Sequence, residues 1–120
     1  MINAVHALIY AKDADKARAF FKDVLNWPSV DAGRGWLIFA LPPAEIAAHP
    51  AEDDADAGTC ALYLMCDDIN TAVAELKAKG VATKSPIADH GWGLVTSIEI
   101  PGFGDMGLYQ PKHPLAYGKK

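Results

Sequence analysis

The sequence predicts an α+β fold made of two tandem βαβββ modules, whose curved mixed sheets form a concave ligand cup. Three observations carry that expectation. Apolar runs of strand length are followed by amphipathic stretches with helical spacing. Turn-rich segments punctuate the extended runs that come next. The two halves also correspond at an offset of 55 residues, which places Asp13 on Asp68, Ala17 on Ala72, Ala19 on Ala74, Phe21 on Leu76 and Lys22 on Lys77. One half alone is too small to bury its sheet, so the chain reads as a single domain over residues 1–120. Module one covers about residues 2–50, an acidic linker 51–58, and module two about 59–112.

The first extended run, INAVHALIY, is expected to be a buried strand. The next segment carries an apolar stripe of Ala17, Phe20, Phe21, Val24 and Leu25 at i, i+3, i+4, i+7 and i+8. Asp13 or Asp15 supplies an acceptor for the free amides of the first turn, and Pro28 stops the helix. Three extended candidates follow: SVDAG, GWLIFAL ended by Pro42-Pro43, and AEIAAHP ended by Pro50. The stretch AEDDADAG has turn composition and no apolar period. The pattern then restarts with CALYLMCDD. A helix follows with a stripe of Ile69, Ala72, Val73 and Leu76, Asp68 as cap and Gly80 as stop. The closing extended candidates are VATKSPIAD, GLVTSIEI and MGLYQ, the last two joined by PGFGD as a hairpin.

Composition narrows the function. Half the residues are apolar (51%) and the net charge is −4, so the chain has a core and lacks the basic face that neutralises nucleic-acid phosphates. No apolar run reaches the roughly 20 residues needed to cross a bilayer, and the N-terminus lacks the pattern of a secretory signal. Cys60 and Cys66 lie close together on one expected strand, which argues against a bridge between them. The expectation is a reduced, cytoplasmic protein that binds neither nucleic acid nor membrane.

Several segments resemble the vicinal oxygen chelate superfamily, which includes glyoxalase I, bleomycin-resistance proteins and extradiol dioxygenases. They are HALIYAKD, KARAFFKDVLNW, AEIA, LYLMCDDINTAVAELKAKGV and the closing IPGFGDMGLYQP, spanning about residues 2–112. The resemblance implies a cup lined at four positions, which hold a divalent metal ion in the metal-using members. The first position matches His6 and the second Glu45. The third falls on Cys60 or Ala61, and the fourth on Leu108 or Tyr109, where no carboxylate stands. Half of that ligand set is therefore present.

His6 and Glu45 are the candidate metal ligands, one imidazole and one carboxylate where a firm site needs three donors. Pairing of Glu45 with His6, or contact of His6 with an organic ligand, would account for both residues without a cation. His49 shares a strand face with Glu45 but lies about 13 Å further along, too far to share one ion. Cys60 is a small hydrophobe or a cup-facing thiol. Trp36 and Trp92 each follow a glycine before a strand and suit the walls of a flat ligand. Glu45 and Tyr109 are the candidate catalytic groups, as ligand or base and as hydroxyl donor. His90 sits in a glycine-rich rim, Arg34 in a turn, and His113 in a tail expected to be exposed.

Two functions follow from the resemblance. One is a metal-assisted lyase, isomerase or dioxygenase. The other is a metal-free, drug-sequestering binding protein. Both take a small organic molecule in the cup, and a homodimer is implied for either.

Overall fold

The computed structural model describes Met1, Ala4 and residues 6–117. Ile2, Asn3 and Val5 of the expected first strand, and the terminal Lys119-Lys120, lie outside the described residues. The α+β class holds. Helix α1 (Ala14–Ala19) begins at Asp13, whose side chain accepts from the Lys16 amide at 3.1 Å. It runs directly into a π turn over Phe20–Val24, closed by the Leu25 amide donating to the Phe20 carbonyl at 3.2 Å. The widened turn buries both Phe20 and Phe21. Phe21 stacks on Trp27 with centroids 5.2 Å apart and meets Phe39 edge-on. Asn26 ends the helix in the left-handed region at φ 57°, ahead of the proline that the sequence singled out.

Strands β1 (Ser29–Asp31) and β2 (Leu37–Phe39) form an antiparallel pair, with Val30 opposite Ile38. Asp31 caps the turn between them by accepting from the amides of Gly33 and Gly35. A short 3₁₀ turn, Asp54–Asp56, occupies the acidic linker. The second half holds β3 (Tyr63–Met65), α2 (Ile69–Ala78), β4 (Ala88–Asp89), β5 (Gly93–Ile100) and β6 (Gly104–Pro111). Its sheet has the order β3-β6-β5-β4, with β3 parallel to β6 and the other pairs antiparallel. Asp68 caps α2 on the Thr71 amide, and Gly80 follows it at φ 83°. The start of α2 is tied to the sheet by the Ile69 amide, which donates to the Gln110 side-chain oxygen at 3.0 Å.

Strand alternation divides this sheet. Ile98, Ile100, Met106 and Leu108 face the helices and, with Phe20, Phe21 and Ile69, make the core. Val95, Ser97, Asp105, Gly107 and Tyr109 fall on the opposite side.

Among the described residues, two expected strands do not form. Residues 6–11 and 44–50 have no ladder partners, so module one contributes a two-stranded sheet where the repeat predicted four strands. A strand needs a neighbour for its backbone groups, and Pro42, Pro43 and Pro50 remove donors around the second segment. The result is exposed apolar surface: Tyr10 is 87% exposed and Ile46 97%. Among the described residues no helix is long and apolar enough to cross a membrane.

Candidate functional site

The non-core face of β4–β6 carries a hollow of about 510 Å³. Its lining includes Tyr63, His90, Val95, Ser97, Asp105 and Gly107. The floor is low because small residues form it. A Cβ added at Gly107 would overlap the Tyr63 ring, and one at Gly93 would come within 3.2 Å of Tyr109 Cδ2. Both tyrosine rings therefore lie across backbone that only glycine leaves open, the arrangement by which an aromatic covers a glycine on a neighbouring strand.

These rings continue into a chain of aromatic contacts. Tyr63 meets Tyr109 edge-on at 5.9 Å, Tyr109 meets Trp92 at 5.6 Å, and Trp92 stacks on His90 at 5.6 Å. These spacings lie in the range of favourable aromatic pairs. The rim that bears His90 and Trp92 is pinned. Lys112 Nζ lies 2.6 Å from Asp89, the Lys112 amide donates to the Trp92 carbonyl, and Asp89 accepts from the Gly91 amide. The lysine hydrogen bond, and then the Gly91 amide, hold the Asp89 carboxyl below its ordinary range.

Glu45 reaches the same cluster from the first half. Its side chain is 15% exposed. Oε1 accepts from the Tyr109 hydroxyl at 3.5 Å and lies 3.7 Å from His113 Nε2, while Oε2 accepts from the Ala116 amide at 2.8 Å. A carboxylate this secluded needs partners, and these supply them. Burial first, and then the Glu45 carboxylate, raise the Tyr109 hydroxyl above the ordinary phenol range, so it stays an O–H donor at neutral pH. The chain end from Lys112 to Tyr117 thus straps Glu45 to the second-half sheet.

The structure brings together Glu45, Tyr109, Trp92 and the rim residue His90 of the residues singled out from the sequence. It leaves the others apart. His6, His49 and Cys60 are exposed, and His6 is not among the partners of Glu45. Trp36 lies on the first half under the Arg18 guanidinium, 4.7 Å from its centroid. Two residues of the cluster were not foreseen. Tyr63 is one. His113 is the other, expected in an exposed tail but 35% exposed at its side chain and 3.4 Å from the Tyr109 hydroxyl. A glycine directly opposite Tyr63 on β6 was the available signal for the first.

Among the described residues no three His, Cys, Asp or Glu side chains converge to hold a metal ion. The donors as arranged in one chain do not fit the cation that the resemblance implies, and no chemical step is routed through one.

The two thiols differ in environment. Cys66 donates to the Tyr109 carbonyl at 3.6 Å, and burial, followed by Asp67 and Asp68, pushes its thiol up to about 11. The thiolate is the reactive form. Iodoacetamide at pH 8 is therefore expected to alkylate exposed Cys60 and leave Cys66 intact, as peptide mass spectrometry would show. Modification of Cys66 at a comparable rate would contradict this placement.

Residues 3–107 match the family described as the Glyoxalase/Bleomycin resistance protein/Dioxygenase superfamily. No curated protein sequence matches the chain. Among solved structures, an antibiotic binding protein from Streptomyces sp. CB03234 is similar at 24% identity and a TM-score of 0.65, over 92% of this chain and 98% of that one. A lactoylglutathione lyase from Agrobacterium tumefaciens is similar at 17% identity and a TM-score of 0.63, over 91% and 94%. A superfamily member from Sphaerobacter thermophilus matches at 24% identity and a TM-score of 0.60, over 91% and 98%. Likeness at these identities shows the fold alone.

Proposed function

Because the chain belongs to the Glyoxalase/Bleomycin resistance protein/Dioxygenase superfamily, we propose that it binds a flat, largely apolar organic molecule in the hollow over β4–β6. The observation that carries this reading is a hollow floored by Val95 and Gly107 and lined by Tyr63 and His90, the two ends of a ring series that Tyr109 and Trp92 join behind it. Sites for small organic ligands have this character, being mostly apolar and aromatic with a few polar groups. The similar Streptomyces protein, whose name says that it binds an antibiotic, agrees with such a role. Glu45 already holds an amide and a hydroxyl, so binding makes fewer demands on the site than proton transfer would.

The working form in this reading is a homodimer. The chain presents 9046 Å² of accessible surface, against about 6,300 Å² for a compact monomer of its mass. Its radius of gyration is 15.3 Å, against about 14 Å for a domain of this length. The excess is of the size that obligate dimers bury. Exposed apolar side chains available to such an interface include Leu8, Tyr10 and Ile46 on segments without ladder partners, and Val30 and Ile38 on the first-half strand pair.

The test is a titration of the purified protein with 9-anthracenemethanol, followed by tryptophan fluorescence, beside sedimentation velocity. Saturable quenching at one probe per chain, in a species of twice 12.8 kDa, is the expected result. Quenching that never saturates would remove the binding reading, and a monomer at all concentrations would remove the dimer.

A further inference from the structure

The chain end after β6 is fastened at two unlike points. At its start the Lys112 amide donates to the Trp92 carbonyl at 2.8 Å, and Lys112 Nζ lies 2.6 Å from Asp89. Beyond that pin, and among the described residues, every hydrogen bond that holds residues 113–117 to the rest of the chain ends on Glu45 or on the Tyr109 hydroxyl. The Ala116 amide makes the short one, 2.8 Å from Glu45 Oε2. Pro111 and Pro114 stand on either side of the pin, where they remove two amide donors and stiffen the segment.

The apolar side chains of this segment are poorly seated. Leu115 and Tyr117 are each 36% exposed, and between them and Met65, Cys66 and Asp67 lies a cavity of about 60 Å³. Atoms facing a gap lose their dispersion contacts, so apolar burial does little to hold the segment down. Segments with few apolar contacts open at far lower free energy than the core. From these contacts we infer that residues 113–117 are a hinged cover, latched on Glu45, whose opening admits solvent and small molecules to the wall formed by Met65, Cys66 and Asp67. One latch serves two sides: His113 and Ala116 hold Glu45, while Leu115 and Tyr117 stand over Cys66. Closed, the cover keeps the carboxylate secluded and the thiol protonated. Open, it uncovers both. The cover is separate from the hollow over β4–β6, which neither Leu115, Tyr117 nor Cys66 lines.

Two substitutions cut the latch from opposite ends. Glu45→Ala removes the acceptor, and Ala116→Pro removes the donor while leaving Glu45 in place. Each is expected to speed alkylation of Cys66 by iodoacetamide at pH 8 about tenfold, with the rate at exposed Cys60 unchanged. In Glu45→Ala the Ala116 amide should exchange with solvent about tenfold faster than in the parent, read by NMR, while the amides of Ile98 and Leu108 in the β5–β6 ladder keep their protection. The double variant should add nothing to either single one, because both break one contact. Unchanged alkylation of Cys66 in either single variant would overturn the inference, since the cover would then stay shut without its latch. Faster alkylation together with faster exchange at Ile98 and Leu108 would overturn it too, since Glu45 would then support the sheet and not a local cover.

Discussion

Gly102→Ala is expected to lower the free energy of unfolding by about 3–5 kcal/mol, through a backbone angle and a backbone contact that both require glycine. Gly102 lies in the β5–β6 turn at φ +79°, a conformation that costs a residue with a Cβ roughly 1–2 kcal/mol. Contact adds to that. A Cβ at this position would overlap the Asp13 carbonyl oxygen and lie 3.0 Å from the Cβ atoms of Asp13 and Lys16. The displaced backbone is the cap of α1, where the Asp13 amide donates to the Gly102 carbonyl at 2.8 Å. Overpacking against backbone adds roughly 1–3 kcal/mol. One substitution would therefore disturb the hairpin and the joint between the two halves. Gly91→Ala supplies the contrast: its φ is +81° but nothing lies within 4 Å, so about 1 kcal/mol is expected. Urea unfolding of the two variants measures the difference. Equal losses would show that the docking of α1 on the hairpin is not as described.

Tyr109→Ala is expected to weaken binding of a flat aromatic probe by about 30-fold, or about 2 kcal/mol. Tyr109 is the one residue that touches Tyr63, Trp92, His113 and Glu45 together. Its removal takes away two edge-on ring pairs and leaves the rings on either side unsupported. Tyr109→Phe keeps the ring and deletes only the O–H directed at Glu45, so affinity for a neutral probe should stay within about twofold. Fluorescence titration of both variants, with circular dichroism to verify folding, checks the pair. Equal loss in the two would shift the weight from the ring to the hydroxyl, and no loss in either would remove Tyr109 from the site.

What could be read from the sequence was what local chemistry determines. The caps at Asp13 and Asp68 and the stop at Gly80 follow from hydrogen-bonding groups within a few residues of the helix ends. The β5–β6 hairpin likewise follows from apolar alternation on either side of a glycine-rich turn. The π turn at Phe20–Val24 has no sequence period of its own, since it keeps the same buried stripe as an ordinary helix. Residues 6–11 and 44–50 have strand-like composition, but a strand depends on a neighbour that composition does not specify. In the site, Tyr109 was visible as an aromatic at a strand position, Trp92 as an aromatic just before a strand, and Glu45 as a carboxylate in an apolar run. His113 was not visible, because Lys112-His113-Pro114 has the composition of a loop and the return of the chain across Glu45 is a tertiary event. The sequence left Glu45 either as a metal ligand or paired with His6; the structure gives it Tyr109, His113 and the Ala116 amide.

The hollow over β4–β6 as the binding site is tested most directly by amide NMR of the ¹⁵N-labelled protein titrated with 9-anthracenemethanol. The largest shifts are expected at Val95, Ser97 and Gly107 and at the Trp92 indole, with the Trp36 indole and the amides of residues 29–31 unmoved. Shifts concentrated on the first half, or absent from those four positions at saturating probe, would contradict the account.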